Sequence, residues 1–207
     1  MLFDPLYMIV MGLGLSLSLG AQAWVKSTTS SWSQVPIGRG MTGADVAAAI
    51  LRVRGIHDVT IEQVGGVLTD HYDPSTRTLR LSPANYAGRS VTAAGIAAHE
   101  VGHAVQHAEG YAPMTLRQKM VPVANIGTNL GVWIVIAGMF TGIAGLAQLG
   151  VALFAGFVLF TLVTLPVEFD ASFRARKALL ETGIVNEREA RGVSTVLTAA
   201  AATYLAA

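Results

Sequence analysis

With 207 residues, 52% of them hydrophobic and only 13% charged, and a mean hydropathy of +0.51, the chain is too oily for a soluble domain, where about a quarter of residues are charged. A net charge of +1 and no run of Lys or Arg remove the electrostatic footprint of a nucleic-acid binder and leave the lipid bilayer as the expected partner. No cysteine is present, which excludes a disulfide framework and any thiolate nucleophile or metal site, so a metal would have to be held by His, Asp or Glu.

Residues 6–25, LYMIVMGLGLSLSLGAQAWV, are uncharged between Asp4 and Lys26 and match the ~20 apolar residues of a membrane-spanning helix. AQA at 21–23 has the look of a leader-peptide cleavage site, but a leader wants a basic segment first and only Asp4 precedes the run. Residues 1–25 are therefore read as a retained N-terminal anchor. Residues 26–125 form the next region. Here Thr42 can cap a helix through ADVAAAILRVR to Gly55. VTIEQV and VLTDHY, separated by Gly65-Gly66, carry a hairpin signal, and TRTLRLS follows the turn residues Asp73-Pro74. A small antiparallel sheet is the expectation. Ser90 then caps one helix, VTAAGIAAHEVGHAVQHAEG, ending at Gly110.

That helix holds three of the five histidines of the chain. His99 and His103 are four apart, so they project from one face in adjacent turns, close enough to share an ion, and Glu100 can reach a water on it. The pattern is HExxH, and zinc, which accepts imidazole nitrogen and keeps an open position in catalytic sites, is the expected cofactor, one per chain. Glu100 would be the general base rather than a ligand. The small neighbours Ala97, Ala98, Gly102 and Ala104 let other elements come close, and a solvated helix face with incidental histidines is the weaker reading. His107 is a further turn on, and ~1.5 Å of rise per residue puts it about 12 Å from His99 along the axis, too far for one ion. It is read as a neighbour of the site or a surface residue.

From Ile126 to Val167 there is no charge over about twice the ~20 residues of one crossing. Residues 126–167 are therefore expected to form a transmembrane hairpin with its break between Thr141 and Gln148. Such a hairpin returns residues 168–192 to the side it left, and a helix starting after Pro166 would carry Glu168 in its first turn. An acid there can simply favour a helix N-terminus. Two His and one Glu, however, make a standard catalytic zinc set, and Glu168 is taken as the third metal ligand. Residues 193–207 are apolar but alanine-rich and short of a span; a truncated fourth helix, a partly inserted one and a core helix all stay open. Lys26, Arg117, Lys119, Arg174, Arg176 and Lys177 put the polar segments on the cytoplasmic side.

The residues also carry a resemblance. KSTTSSWSQVP, GMTGADVAAAIL, LTDHYDPSTRTLRLS, AAHEVGHAVQH, YAPMTLRQKMVPVANIG and TLVTLPVEFDAS resemble, almost end to end, the YugP-type neutral zinc metallopeptidases of bacterial membranes. More distantly the layout is similar to the CAAX prenyl proteases and HtpX-type peptidases, in which a gluzincin HExxH is completed by the first Glu of a later ExxxD. The resemblance implies His99, His103 and Glu168 as ligands, Glu100 as base and a location in the bacterial inner membrane. In EFDAS, Ser172 stands where the aspartate that orients a ligand histidine is expected, and Asp170, two residues away, cannot simply substitute.

The fold expected is thus a mainly α membrane protein with a small antiparallel sheet and a gluzincin-like core. Two features of LTDHYDP stay open. His71 can donate to the tetrahedral oxyanion as a catalytic residue and Asp70 can orient a histidine, or the segment can be turn chemistry around Pro74. The strand RTLRLS can offer an edge to an extended peptide. The expected activity is hydrolysis of peptide bonds in membrane or membrane-proximal proteins. The rival is a non-catalytic membrane scaffold with a structural zinc, whose fourth position would be closed by His107 or His71.

Overall fold

The computed structural model describes residues 5–205. Its elements in chain order are α1 (Pro5–Ser33), α2 (Gly43–Val53), β1 (Thr60–Gln63), β2 (His71–Asp73), β3 (Thr78–Leu81), α3 (Pro83–Tyr86), α4 (Val91–Ala108), α5 (Ala112–Ile126), a π-helical segment (Gly127–Gly131), α6 (Val132–Thr141), α7 (Ala144–Glu181) and α8 (Glu187–Leu205). They fall into two compact units, Met1–Glu109 with Glu168–Ala207, and Gly110–Val167. Three helical stretches among the described residues are long and apolar enough to cross a membrane: Met8–Ser33, Ala112–Thr141 and Gln148–Glu181.

The caps legible in the sequence operate as local hydrogen bonds. Thr42 and Asp45 form a reciprocal capping box at the start of α2. Ser90 accepts from the Ala93 N–H at the start of α4. Past the apolar run, α1 continues as far as Ser33, because the Thr29 and Ser31 hydroxyls donate back to the Val25 and Ser27 carbonyls and leave the helix ladder intact. The extension is also pinned from outside: Thr92 donates to the Thr29 carbonyl at 3.1 Å, and a Cβ on Gly192 would strike the Trp32 ring.

The sheet differs from expectation. β1 pairs parallel with β3, β2 pairs antiparallel with β3, and the order is β1-β3-β2. Gly65-Gly66 therefore sits in a loop instead of closing a hairpin. Asp70 holds the end of that loop by accepting from the Ser82 N–H at 2.7 Å and from the Asn85 amide at 2.9 Å. The tight reversal comes next, where Asp73 accepts from Ser75 and Thr76 and joins β2 to β3. These hydrogen bonds hold the Asp73 carboxyl well below the usual carboxylate range. RTLRLS is the central strand, so both of its edges are already paired and it cannot take up a peptide; the free edges belong to β1 and β2.

The expected break at Pro166 is absent. α7 runs through that residue from Ala144 to Glu181, carrying the lost N–H bond and the crowded carbonyl of the preceding turn that an interior proline imposes. The helix of the last region begins at Glu187, where Asn186 and Glu189 exchange side chain-to-backbone hydrogen bonds. Ala190, Val193, Val196, Leu197, Ala199 and Ala201 of α8 are buried against α1 and α4, so α8 is a core helix of its unit. Within the other unit, α6 ends at Gly142 in a left-handed C-cap, φ +73°, inside the expected break. There the glycines set the packing: a Cβ on Gly127 would lie 2.5 Å from the Leu153 carbonyl oxygen, and one on Gly150 2.7 Å from the Val135 nitrogen. Small residues that admit backbone-to-backbone approach are the usual basis of helix association in lipid.

One close approach fixes the first unit. A Cβ on Gly102 would lie 2.7 Å from the Ala171 carbonyl oxygen and 3.1 Å from its Cα, so α4 and α7 touch backbone to backbone. On α7, Ala171, Ala175, Ala178 and Leu179 form the buried stripe that faces inward. Gly102→Ala should force the helices apart and destabilise the unit by roughly 1–3 kcal/mol. Gly12→Ala, at a position with nothing within 4 Å, should leave the melting temperature in detergent unchanged.

Candidate metal centre

The contact at Gly102 and Ala171 lies between two turns of α4 and one turn of α7, and side chains on either side of it converge. His99 Nε2 is 3.1 Å and His103 Nε2 3.6 Å from Glu168 Oε2. One ligand atom from each of His99, His103 and Glu168 lies within 4.8 Å of the others. Bonds of about 2.0–2.2 Å at tetrahedral angles place ligand atoms about 3.3 Å apart, and the two observed separations bracket that value. Two imidazole nitrogens and a carboxylate oxygen also match the donor preference of zinc, so these residues fit the ion. The imidazole rings stand edge to face, 4.8 Å between centroids.

The outer nitrogens are tied down as well. Gln106, fully buried, donates its amide N–H to Asp170 at 2.8 Å. Its carbonyl oxygen therefore faces His103 Nδ1, 3.0 Å away. A carbonyl can only accept, so Nδ1 of His103 carries a proton, and Nε2, directed at Glu168, is the nitrogen that would give up its own proton to hold a metal. Asp170 is held in turn by Arg174, which also reaches Glu109 at 2.6 Å. Ser172 Oγ lies 3.2 Å from His99 Nδ1. At the departure noted in EFDAS, Ser172 thus lies against His99, and Asp170 is linked to the other histidine through Gln106.

Burial alone would lower the pKa of His103, but the hydrogen bond to Glu168 and the fields of Glu100 and Glu168 outweigh it and raise it above the ordinary imidazole value. The cluster attracts positive charge. Glu100 is buried, and no side chain among the described residues hydrogen-bonds its carboxylate. It opens with His99, Glu168 and Ser172 onto a cavity of about 270 Å³, completed by Val25, Leu68, Asp70 and Ile96 on one side and by Leu197 and Tyr204 of α8 on the other.

The remaining candidates lie elsewhere. His107 Nδ1 is 2.9 Å from the Tyr72 hydroxyl and borders a separate cavity. His71 is exposed, with Nδ1 2.7 Å from the Thr69 carbonyl oxygen, and is not among the residues lining the metal cavity. Along an extended chain Asp70 and Tyr72 point one way and His71 the other. Among the described residues Asp70 hydrogen-bonds no histidine and braces Ser82 and Asn85. Sequence reasoning missed Gln106, whose only signal was a buried-face amide three residues after the second histidine, and Tyr204, hidden in an alanine-rich tail.

A family profile described as “Putative neutral zinc metallopeptidase” matches residues 7–207. The chain is 47% identical over 193 residues to the “Putative membrane protease YugP” of Bacillus subtilis (strain 168), an alignment covering 93% of this chain and 86% of that protein. No solved structure matches. A profile that runs through both halves of the His99–His103–Glu168 cluster, together with a relative similar over nearly the whole length, makes the chain a member of this family of neutral zinc metallopeptidases.

Proposed function

We propose that the chain is a membrane-embedded zinc endopeptidase that hydrolyses peptide bonds of membrane or membrane-proximal proteins. His99, His103 and Glu168 hold the ion and Glu100 is the general base. It crosses the bacterial inner membrane several times, with the site on the cytoplasmic face, as the distribution of basic residues argues. One observation carries the reading: two members of the three-residue donor cluster, His99 and Glu168, border one cavity together with the buried Glu100 carboxylate, and neither His107 nor His71 joins the donor cluster. A structural site closes its fourth position with protein, whereas a catalytic site leaves it to water and substrate. The relative named a membrane protease supports proteolysis at the membrane.

A zinc ion bound there supplies Lewis acidity, polarising a scissile carbonyl and acidifying water. The residues do the rest. Glu100 takes a proton from the attacking water and passes it to the leaving amine. Gln106 and Asp170 keep His103 in the tautomer whose Nε2 can ligate, and Ser172 does the same for His99. The phenol of Tyr204, at the α8 wall of the cavity, is the donor offered to the developing oxyanion; His71, on the outer side of its strand, stands further from that task.

Three outcomes are expected. Glu100→Gln should keep its zinc, measured by elemental analysis of the purified protein, while cleavage of a casein or membrane-protein substrate falls about 10²–10⁴-fold; unchanged function in this variant would favour the scaffold. Glu168→Ala should lose zinc outright, and Gln106→Ala should weaken zinc binding about 10–100-fold in a competition titration with a chelator. Tyr204→Phe should lower kcat by about 10-fold or more with zinc content intact, whereas His71→Ala should change kcat by less than about twofold. The opposite ranking would return the oxyanion role to His71.

A further inference from the structure

The metal cavity does not end at its own walls. Leu68 and Ile96 also line a second, larger groove of about 740 Å³, bounded by the C-terminal part of α1, the loop after β1 and the corner between α3 and α4. An endopeptidase must accommodate chain on both sides of the bond it cuts, and a cavity of about 270 Å³ is small for a ligand site. The adjoining groove supplies the missing length.

The charge of the groove is one-sided. Lys26 and Arg89 line it and no Asp or Glu does. Both cations are exposed, and neither forms an ion pair with another described residue. Asp45 feels the field of Arg89, but it makes no ion pair with it, spends Oδ2 on the N–H and hydroxyl of Thr42 and is not part of the lining. The exposed Ser30 and Gln34 on the remaining walls suit the polar atoms of an extended backbone, while Ser82 and Asn85 are already bonded to Asp70. Lys26 immediately follows the uncharged run 6–25, so the groove opens where α1 meets the membrane surface.

Resting on the peptidase reading, we propose that this groove holds the substrate on one side of the scissile bond and selects polypeptide segments carrying a carboxylate side chain there, which Lys26 and Arg89 receive. The substrate class is then an acidic, membrane-proximal stretch of protein. The groove adjoins the metal cavity at Leu68 and Ile96, which line both, and this favours a peptide over a lipid headgroup, which has no need to reach the ion.

The test reads binding without turnover. Zinc-loaded Glu100→Gln protein in neutral detergent is titrated, by fluorescence anisotropy, with labelled peptides identical except for one residue, Glu, Gln or Lys, moved stepwise along the sequence. At one register the Glu peptide should bind about three- to tenfold tighter than the Gln peptide and the Lys peptide weaker than both, as expected for ion pairs at a partly exposed site. Lys26→Glu/Arg89→Glu, built in the same background, should reverse the order, and Lys26→Gln/Arg89→Gln should abolish the preference. Equal binding of the Glu and Gln peptides at every register, or an equal loss for all three peptides in the charge-reversed variant, would overturn the proposal. Vesicles of phosphatidylglycerol and of phosphatidylcholine form the second arm. If charge reversal removes a preference for phosphatidylglycerol but leaves the peptide ranking intact, the cations serve lipid and the proposal also fails. Charge-dependent peptide binding in the absence of any cleavage by the wild-type protein would count against the peptidase reading alone.

Discussion

The contact of Gly102 with the backbone of Ala171 is the constraint from which the site follows. A helix pair normally keeps its axes 8–10 Å apart according to the side chains between them. Here the residue between the two histidine turns has no side chain, and its partner on α7 offers only a methyl group. The imidazoles from α4 and the carboxylate from α7 can then meet at 3.1 and 3.6 Å, whereas a branched residue at either position would leave them too far apart for ligand bonds of about 2 Å. Gly102 thus belongs to the HExxH pattern in a physical sense, although it occupies one of the positions the pattern leaves free.

Burying two imidazoles and a carboxylate together has a cost, since groups removed from water must find compensation among their neighbours. The structure meets it in layers. Each Nε2 is turned to Glu168, each Nδ1 meets an oxygen, from Gln106 or from Ser172, and Asp170 is balanced by Arg174. The balance is one-sided: two buried carboxylates, Glu100 and Glu168, stand beside the imidazoles and favour a cation there. A divalent ion answers it better than a proton can, because one ion engages both imidazole nitrogens and the carboxylate at once.

How much could be read beforehand depended on the range of the interactions. Helix caps at Thr42 and Ser90 depend on neighbours three residues away, and spacing alone places His99 and His103 on one face, so these were legible. Glu168 was legible for a different reason: it follows an uncharged stretch long enough for two apolar helices, from which a return of the chain toward α4 could be expected. The sheet was not, because Gly65-Gly66 signals a turn without saying which strands it joins. The parallel pairing of β1 with β3 depends on contacts across residues 64–77, including the hold of Asp70 on Ser82 and Asn85. Gln106 escaped notice for the same reason, since its role exists only once Asp170 arrives from α7. Tyr204 lay in a stretch whose composition says only that it is apolar.

The order of these residues along the chain has a consequence for assembly. His99, Glu100 and His103 precede the uncharged stretch 126–167, and Glu168 follows it. With the proposed double crossing, Glu168 reaches the side of His99 and His103 only when the number of passages between them is even. A chain that has inserted one helix of the pair, or neither, holds two imidazoles without the carboxylate, and two neutral ligands bind zinc far less firmly than a set that includes an anion placed for them. Hydrolytic competence would therefore be withheld until both helices are in the bilayer, a safeguard for a peptidase made among the unfolded chains of its own membrane, and one that needs no inhibitory segment because the site is divided by the membrane passage itself.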